Sequence, residues 1–160
     1  MDRSKLWVRV DNRLVHGQVI EAWLPYADAD TIIVGNDEVA SDEVQQEIIR
    51  LAIPGGVAIH FSEAVDVGRL VRAICNGRDC DSVFVLFASC SDAKKAYESG
   101  LSFPVLNIGN IHYSPGKYQL CDHVALSKDD LRCLRFFKSS GISLDFRCVP
   151  NSQVHVKTIW

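Results

Sequence analysis

Short runs of Val, Ile, Leu and Phe alternate along the chain with longer segments in which apolar residues recur every three or four positions. The first pattern fits a strand covered on both faces and the second an amphipathic helix, so the chain reads as a succession of βα units. The runs predict strands near 6–10, 31–35, 57–61, 82–88, 104–107, 122–126 and 143–147. Val44, Ile48 and Leu51 predict one buried stripe on a helix over 42–53, with Ser41 as its N-cap and Pro54-Gly55-Gly56 as its stop. Residues 64–75 repeat the pattern through Val67, Leu70, Val71 and Ile74, and Ser91 opens a helix that ends near Gly100. Ser127 and Asp130 have capping-box spacing ahead of the stripe Leu131, Leu134 and Phe137, which Gly141 closes. Val19, Ile20, Trp23 and Leu24 read as the core stripe of a further helix beginning near Gly17. The expected fold is α/β: a single three-layer domain over 1–160, with a mostly parallel seven-stranded sheet and helices on both faces.

Ligands of open α/β sheets bind beyond the carboxyl ends of the strands, which singles out the loops at 11–17, 36–40, 88–91 and 107–117. The first of these lies within RVDNRLVHGQV (9–19) and holds His16, expected exposed at the rim of the sheet. A helix starting at Gly17 would turn its unpaired N–H groups, and the positive end of its aligned peptides, toward the space His16 faces. Phosphate suits that position, and the same field disfavours an imidazolium, leaving a neutral ring with one nitrogen lone pair free to attack. Arg13 offers a planar fork for two phosphoryl oxygens, and Asp11 could orient either a ring N–H or Arg13. Asn36, Asp37, Ser89, Asn107 and Lys117 are second-rank candidates by loop position alone; Asp37 equally suits a helix cap and Lys117 a solvated charge. By spacing alone, a histidine at a helix start is more often a hydrogen-bonded bystander than a reactive group.

Composition narrows the partners. With 160 residues, 48% of them hydrophobic, the chain can bury a full core, and a net charge of −3 with a pI near 5.9 gives no general attraction to nucleic acid or anionic lipid. Residues 1–19 nevertheless carry Arg3, Lys5, Arg9 and Arg13 against Asp2 and Asp11, a local positive excess that favours an anion near Arg13. The longest apolar run, Val83 to Ala88, falls far short of the ~20 residues of a membrane span. The first residues lack a signal-peptide pattern, so a cytoplasmic location is expected, with Cys75, Cys80, Cys90, Cys121, Cys133 and Cys148 as thiols. No CxxC pair or zinc spacing occurs, and no metal is expected. No GxGxxG or GxxxxGK[ST] follows a predicted strand, which argues against a nucleotide-binding enzyme, and the third strand ends in HFSE instead of the aspartate a phosphoacceptor receiver needs.

RVDNRLVHGQV, together with IIVGNDEVASDE (32–43), AIPGGV (52–57), NIGNIHYSPGK (107–117) and LSKDDL (126–131), resembles the IIB component of the mannose/fructose/sorbose class of the bacterial sugar phosphotransferase system. The similarity runs from about residue 6 to Pro150, and R-x-D-x-R-L-x-H-G-Q is its specific part. The resemblance implies a phosphotransferase: His16 takes a phosphoryl group from the phosphohistidine of a IIA protein or domain and passes it to a sugar imported through membrane IIC and IID subunits. Those subunits would hold the chain against the inner membrane from the cytoplasm. Arg13 matches the family's phosphate-stabilising arginine; beside it, by position, the N–H groups of Gly17 and Gln18 are expected as phosphate donors and Asp11 as an orienting group. No cofactor beyond the donated phosphoryl group is implied; a homodimer is a further expectation. Asn12 stands where the family commonly has aspartate, and Gly109-Asn110 where many relatives have Gly-Gly, a feature of the amino-sugar branch. Asparagine tolerates a left-handed backbone, so that loop is expected to keep its shape. The other reading of these residues is a regulatory phosphoprotein, in which phosphorylated His16 controls a partner and no sugar is involved.

Overall fold

A computed structural model describes residues 6–76 and 83–156. β1 (Trp7–Val10) comes first in the chain yet lies inside the sheet, paired in parallel with β4 (Val83–Phe87) on one side and β5 (Val105–Ile108) on the other. β2 (Thr31–Gly35) and β3 (Ala58–Ser62) extend the sheet beyond β4, and β8 (Ser143–Asp145) extends it beyond β5. The order is β3-β2-β4-β1-β5-β8, and every pairing is parallel. β2 and β4 are buried throughout, which is why they read as unbroken apolar runs.

The sheet has six strands where seven were expected. The run at 122–126 does form a strand, β7 (Val124–Leu126), but it pairs antiparallel with β6 (Tyr118–Cys121) in a separate ribbon. Only Asp122 and His123 separate the two strands, and so short a link can join only antiparallel neighbours. Ile111 ties the ribbon to the loop after β5, its N–H donating to the His123 carbonyl at 3.0 Å and its carbonyl accepting from Ala125 N–H at 2.9 Å.

From β1 the chain steps toward the β3 edge and then returns across the sheet to β8. Right-handed crossovers in opposite directions place their helices on opposite faces. One face carries a π-helical stretch, Gln18–Trp23, running into α1 (Leu24–Ala27), then α2 (Asp37–Ala40) and α3 (Glu43–Leu51). Here Leu14, Val19, Trp23 and Leu24 pack on Ile32, Val34, Phe84 and Leu86. The other face carries α4 (Val67–Cys75), α5 (Cys90–Glu98) and α6 (Lys128–Ser139), with Val71, Ala93, Leu134 and Phe137 against Val8, Val10, Ile33 and Val85.

The capping box at α6 forms as expected, with Ser127 and Asp130 exchanging two 3.0 Å hydrogen bonds. Elsewhere the caps shift. Ser89, not Ser91, caps α5 by accepting from Asp92 N–H at 3.1 Å. Asp42, not Ser41, caps α3 through Gln45 N–H at 3.0 Å, because Ser41 already ends α2. The expected buried stripe of that helix faces solvent: Val44, Ile48 and Leu51 are 71%, 62% and 88% exposed, while Ile49 and Ile53 pack inward. The expectation of six thiols fails at Cys75, which is disulfide-bonded where the left-handed Asn76 turns the chain sharply at the end of α4. Cys80, like Arg3 and Lys5, lies outside the described residues.

Candidate functional site

β1 and β4 are neighbours whose onward connections run to opposite faces, so the switch point at which open α/β sheets bind ligands lies at their carboxyl ends. The chain leaving β1 turns tightly there, with Leu14 N–H donating to the Asp11 carbonyl at 3.0 Å. Leu14 takes a left-handed backbone, φ 54°, a strained choice for a branched apolar residue that burial of its side chain holds in place. The turn swings Arg13 N–H onto Asp11 Oδ1 at 3.0 Å. The amides of Val19 and Ile20 then return to the His16 carbonyl at 3.0 and 3.1 Å and start the π-helical stretch, a form concentrated at functional sites. The amides of Gly17 and Gln18 have no acceptor among the described residues.

Around this turn a chain of side chains meets on one oxygen. Asp11 is fully buried, and its Oδ2 contacts His16 Nε2 at 2.8 Å, accepts from Asn110 Nδ2 at 2.8 Å, and accepts from Arg9 Nη2 and Nε at 3.0 and 3.2 Å. Burial alone would raise the Asp11 carboxyl. The hydrogen bonds from His16 and the Arg13 amide, the charge of Arg9 and the Asn110 bond outweigh it and hold Asp11 at about 2. An ionised carboxylate only accepts, so Nε2 of His16 carries a hydrogen, and in the neutral ring Nδ1 is the nitrogen with the lone pair. No partner for Nδ1 occurs among the described residues. The ring is sunk rather than standing clear at the rim, its side chain only 11% exposed, because Asp11 draws it inward.

Arg9 is as buried as Asp11. Burial lowers its pKa, opposed by the charge and hydrogen bonding of Asp11, and the guanidinium stays protonated. The positive excess read at the N-terminal end is therefore spent at Arg9 on an internal partner. Arg13 remains exposed, and its Nη2 reaches Gln18 Oε1 at 3.4 Å. Gln18 Oε1 also accepts from Asn110 Nδ2 at 3.1 Å and from the Cys148 thiol at 3.4 Å. Asn110 is not left-handed; its side chain does its work here. Asn12 donates Nδ2 to the Ala88 carbonyl at 3.3 Å and accepts from His112 N–H at 2.6 Å, a pair of roles that an aspartate, having no donor, could not fill.

The second-rank candidates divide. Asn107 is buried and reaches the cluster through Arg9. Asn36 caps α2 and bonds Asp92 at 3.3 Å, Asp37 accepts from Ala64 N–H at 2.9 Å, and Ser89 caps α5, so these three brace loops and share no hydrogen bond with His16. Lys117 donates to the His112 carbonyl at 3.0 Å within its own loop. Arg9, Asn110 and Cys148 were missed. For Arg9 a signal existed: in WVRVD an arginine interrupts an apolar strand two positions before an aspartate, and alternate strand residues share a face. Among the described residues no group of three or more His, Cys, Asp or Glu could hold a metal, and no helix is long and apolar enough to cross a membrane.

Residues 6–158 match the family described as "PTS system sorbose subfamily IIB component". The chain is 36% identical over 144 residues to the "PTS system sorbose-specific EIIB component" of Klebsiella pneumoniae, covering 89% of this chain and 86% of that protein. It superimposes on the crystal structure of the N-acetylgalactosamine-specific IIB component 1 from Escherichia coli with a TM-score of 0.83 and 31% identity, over 93% of this chain and 96% of that one. To the mannose-specific EIIAB component of Escherichia coli (strain K12) it is 32% identical over 142 residues, which are 88% of this chain and 43% of that longer protein.

Proposed function

The chain belongs to the sorbose subfamily of IIB components of the sugar phosphotransferase system, and on that premise we propose that His16 accepts a phosphoryl group from a IIA phosphohistidine and passes it to a sugar entering through membrane IIC and IID subunits. The observation that carries this reading is the 2.8 Å contact between His16 Nε2 and Asp11 Oδ2. With the proton held on Nε2, Nδ1 is the attacking atom. Its lone pair forms the new N–P bond as the donor's N–P bond breaks in line. The ring, still protonated at Nε2, becomes cationic beside the Asp11 carboxylate, which stabilises it without neutralising it. That charge keeps the phosphoryl group easy to release to a sugar hydroxyl: the N–P bond breaks as the O–P bond forms, the hydroxyl proton goes to solvent at the sugar's site, and the ring returns to its neutral form.

Phosphoryl transfer of this kind needs alignment and stabilisation of three equatorial oxygens more than covalent help. Arg13, exposed three residues before the histidine, and the amides of Gly17 and Gln18 are the groups that would hold those oxygens. A IIA partner is supported by the relative named as a mannose-specific EIIAB component, in which an A unit accompanies the B unit. Contact with membrane subunits would place the chain at the cytoplasmic surface of the membrane.

Incubation with phosphoenolpyruvate, the general phosphotransferase proteins and a cognate IIA is expected to add one acid-labile phosphate, detected by intact mass, and His16→Ala should abolish it. Undiminished labelling of His16→Ala would overturn the assignment.

A further inference from the structure

Arg9 is an expensive residue to keep. Taking a guanidinium out of water costs several kcal/mol, and apolar residues of similar volume often replace buried ion pairs without loss of stability. Its five donors are nevertheless assigned with unusual completeness. Nε and Nη2 both point at Asp11 Oδ2, Nη1 reaches Asn107 Oδ1 at 2.5 Å and the Arg147 carbonyl at 3.3 Å, and Nη2 also takes the Cys148 carbonyl at 3.1 Å. Its Cζ lies 5.3 Å from the centre of the Trp23 ring. Asn107 is fixed in turn by donating to the carbonyls of Asp145 and Arg147 at 3.2 and 3.1 Å. Against this group lies the backbone of Gly109, where a Cβ would overlap the guanidinium itself.

The direction of this arrangement matters more than its number of bonds. Of the two Asp11 oxygens, the guanidinium engages only Oδ2, the one that grips His16. We infer that Arg9, backed by Asn107, is a positioning residue for phosphoryl transfer: it holds Asp11 as an oriented carboxylate so that the His16 proton stays on Nε2 and the Nδ1 lone pair faces the donor. This rests on the reading of His16 as the phosphoryl acceptor. Without the guanidinium, a carboxyl group at this depth loses its counter-charge and tends to take up a proton. A protonated carboxyl can donate as well as accept, and a carboxylate no longer held by the fork turns Oδ2 off the ring, so in either case the preference between the two ring tautomers weakens. Losing the partner that orients a metal-ligating histidine typically costs about 10- to 100-fold in activity, and a loss of that size is expected for this carboxylate-held histidine.

The test uses the full chain and reads two quantities: the His16 ring tautomer from imidazole 15N shifts of the unphosphorylated protein, and the rate of phosphoryl uptake from phosphorylated IIA. Three variants perturb the guanidinium differently. Arg9→Lys keeps a charge without the fork, Gly109→Ala pushes the native arginine aside, and Asn107→Leu removes its backing. The wild type is expected to show a single Nε2–H tautomer, and Arg9→Lys and Gly109→Ala to show both tautomers with uptake slowed about 10- to 100-fold. Asp11→Asn combined with Arg9→Lys should be no slower than Asp11→Asn alone. Asn107→Leu, which leaves both charges in place, carries the test if the other two unfold. A folded variant that keeps the single tautomer and the wild-type rate overturns the proposal. Phosphate found on another residue would instead remove the acceptor reading, while the tautomer measurement would still decide what Arg9 does.

Discussion

At the scale of single residues, Asp11 links stability to acidity. Its pKa lies at about 2 in the folded chain against an ordinary 3.8, so the folded state holds its charged form more firmly than the unfolded state does. A carboxyl lowered in this way stabilises fully above its unfolded value and loses that contribution as pH falls through the folded one. Unfolding by urea at a series of pH values from 5 to 2 should therefore show about 2 kcal/mol of stability disappearing in the wild type, a loss absent from Asp11→Asn. Equal pH slopes for the two proteins would mean that Asp11 is not held as described. His16, Arg13 and Asp11 were legible because they sit within six residues of one another in RVDNRLVHGQV. Asn110 and Cys148 were not. They join the cluster across 92 and 130 residues of chain from Gln18, a separation that local pattern does not bridge.

At the scale of elements, α3 shows what periodicity settles and what it leaves open. Spacing of three and four predicted a helix with an apolar stripe, and both exist. Which side is covered depends on the neighbours, and at the margin of the sheet beside β3 only the narrow side bearing Ile49 meets them. Leu51→Gln and Ile48→Gln are thus expected to change unfolding free energy by no more than about 0.5 kcal/mol, whereas Ile49→Ala costs more than about 1 kcal/mol. A large cost for Leu51→Gln in denaturant titration would show that another surface covers the stripe in solution. The displaced caps have a related cause. Ser89 and Ser91, like Ser41 and Asp42, are both good capping residue types, and the backbone of the preceding strand or turn decides between them.

At the scale of the whole molecule, the α/β class and the mostly parallel sheet followed from alternating patterns, but strand number did not, because the β6–β7 ribbon is made of the same residue types as the sheet. The layers also meet at points that pattern alone does not reveal. Gly68, in the first turn of α4, comes so close to the loop before β5 that a Cβ would lie 2.8 Å from Leu101 N. Alanine would favour the helix by about 1 kcal/mol, yet it would press on backbone that cannot rotate away, an overpacking worth about 1–3 kcal/mol. Gly68→Ala should accordingly lower the melting temperature; a rise would show that the layers give way more easily than their packing implies.

The interior placement of β1 has a consequence for synthesis. Its partners are residues 83–87 and 105–108, so β1 is made before both strands it pairs with and cannot take its place until they follow. Until those later residues emerge, the imidazole is an ordinary side chain on nascent chain that has not yet met its partners, with nothing to choose between its nitrogens. A message cut short before that point would yield a polypeptide carrying the acceptor histidine and none of its competence.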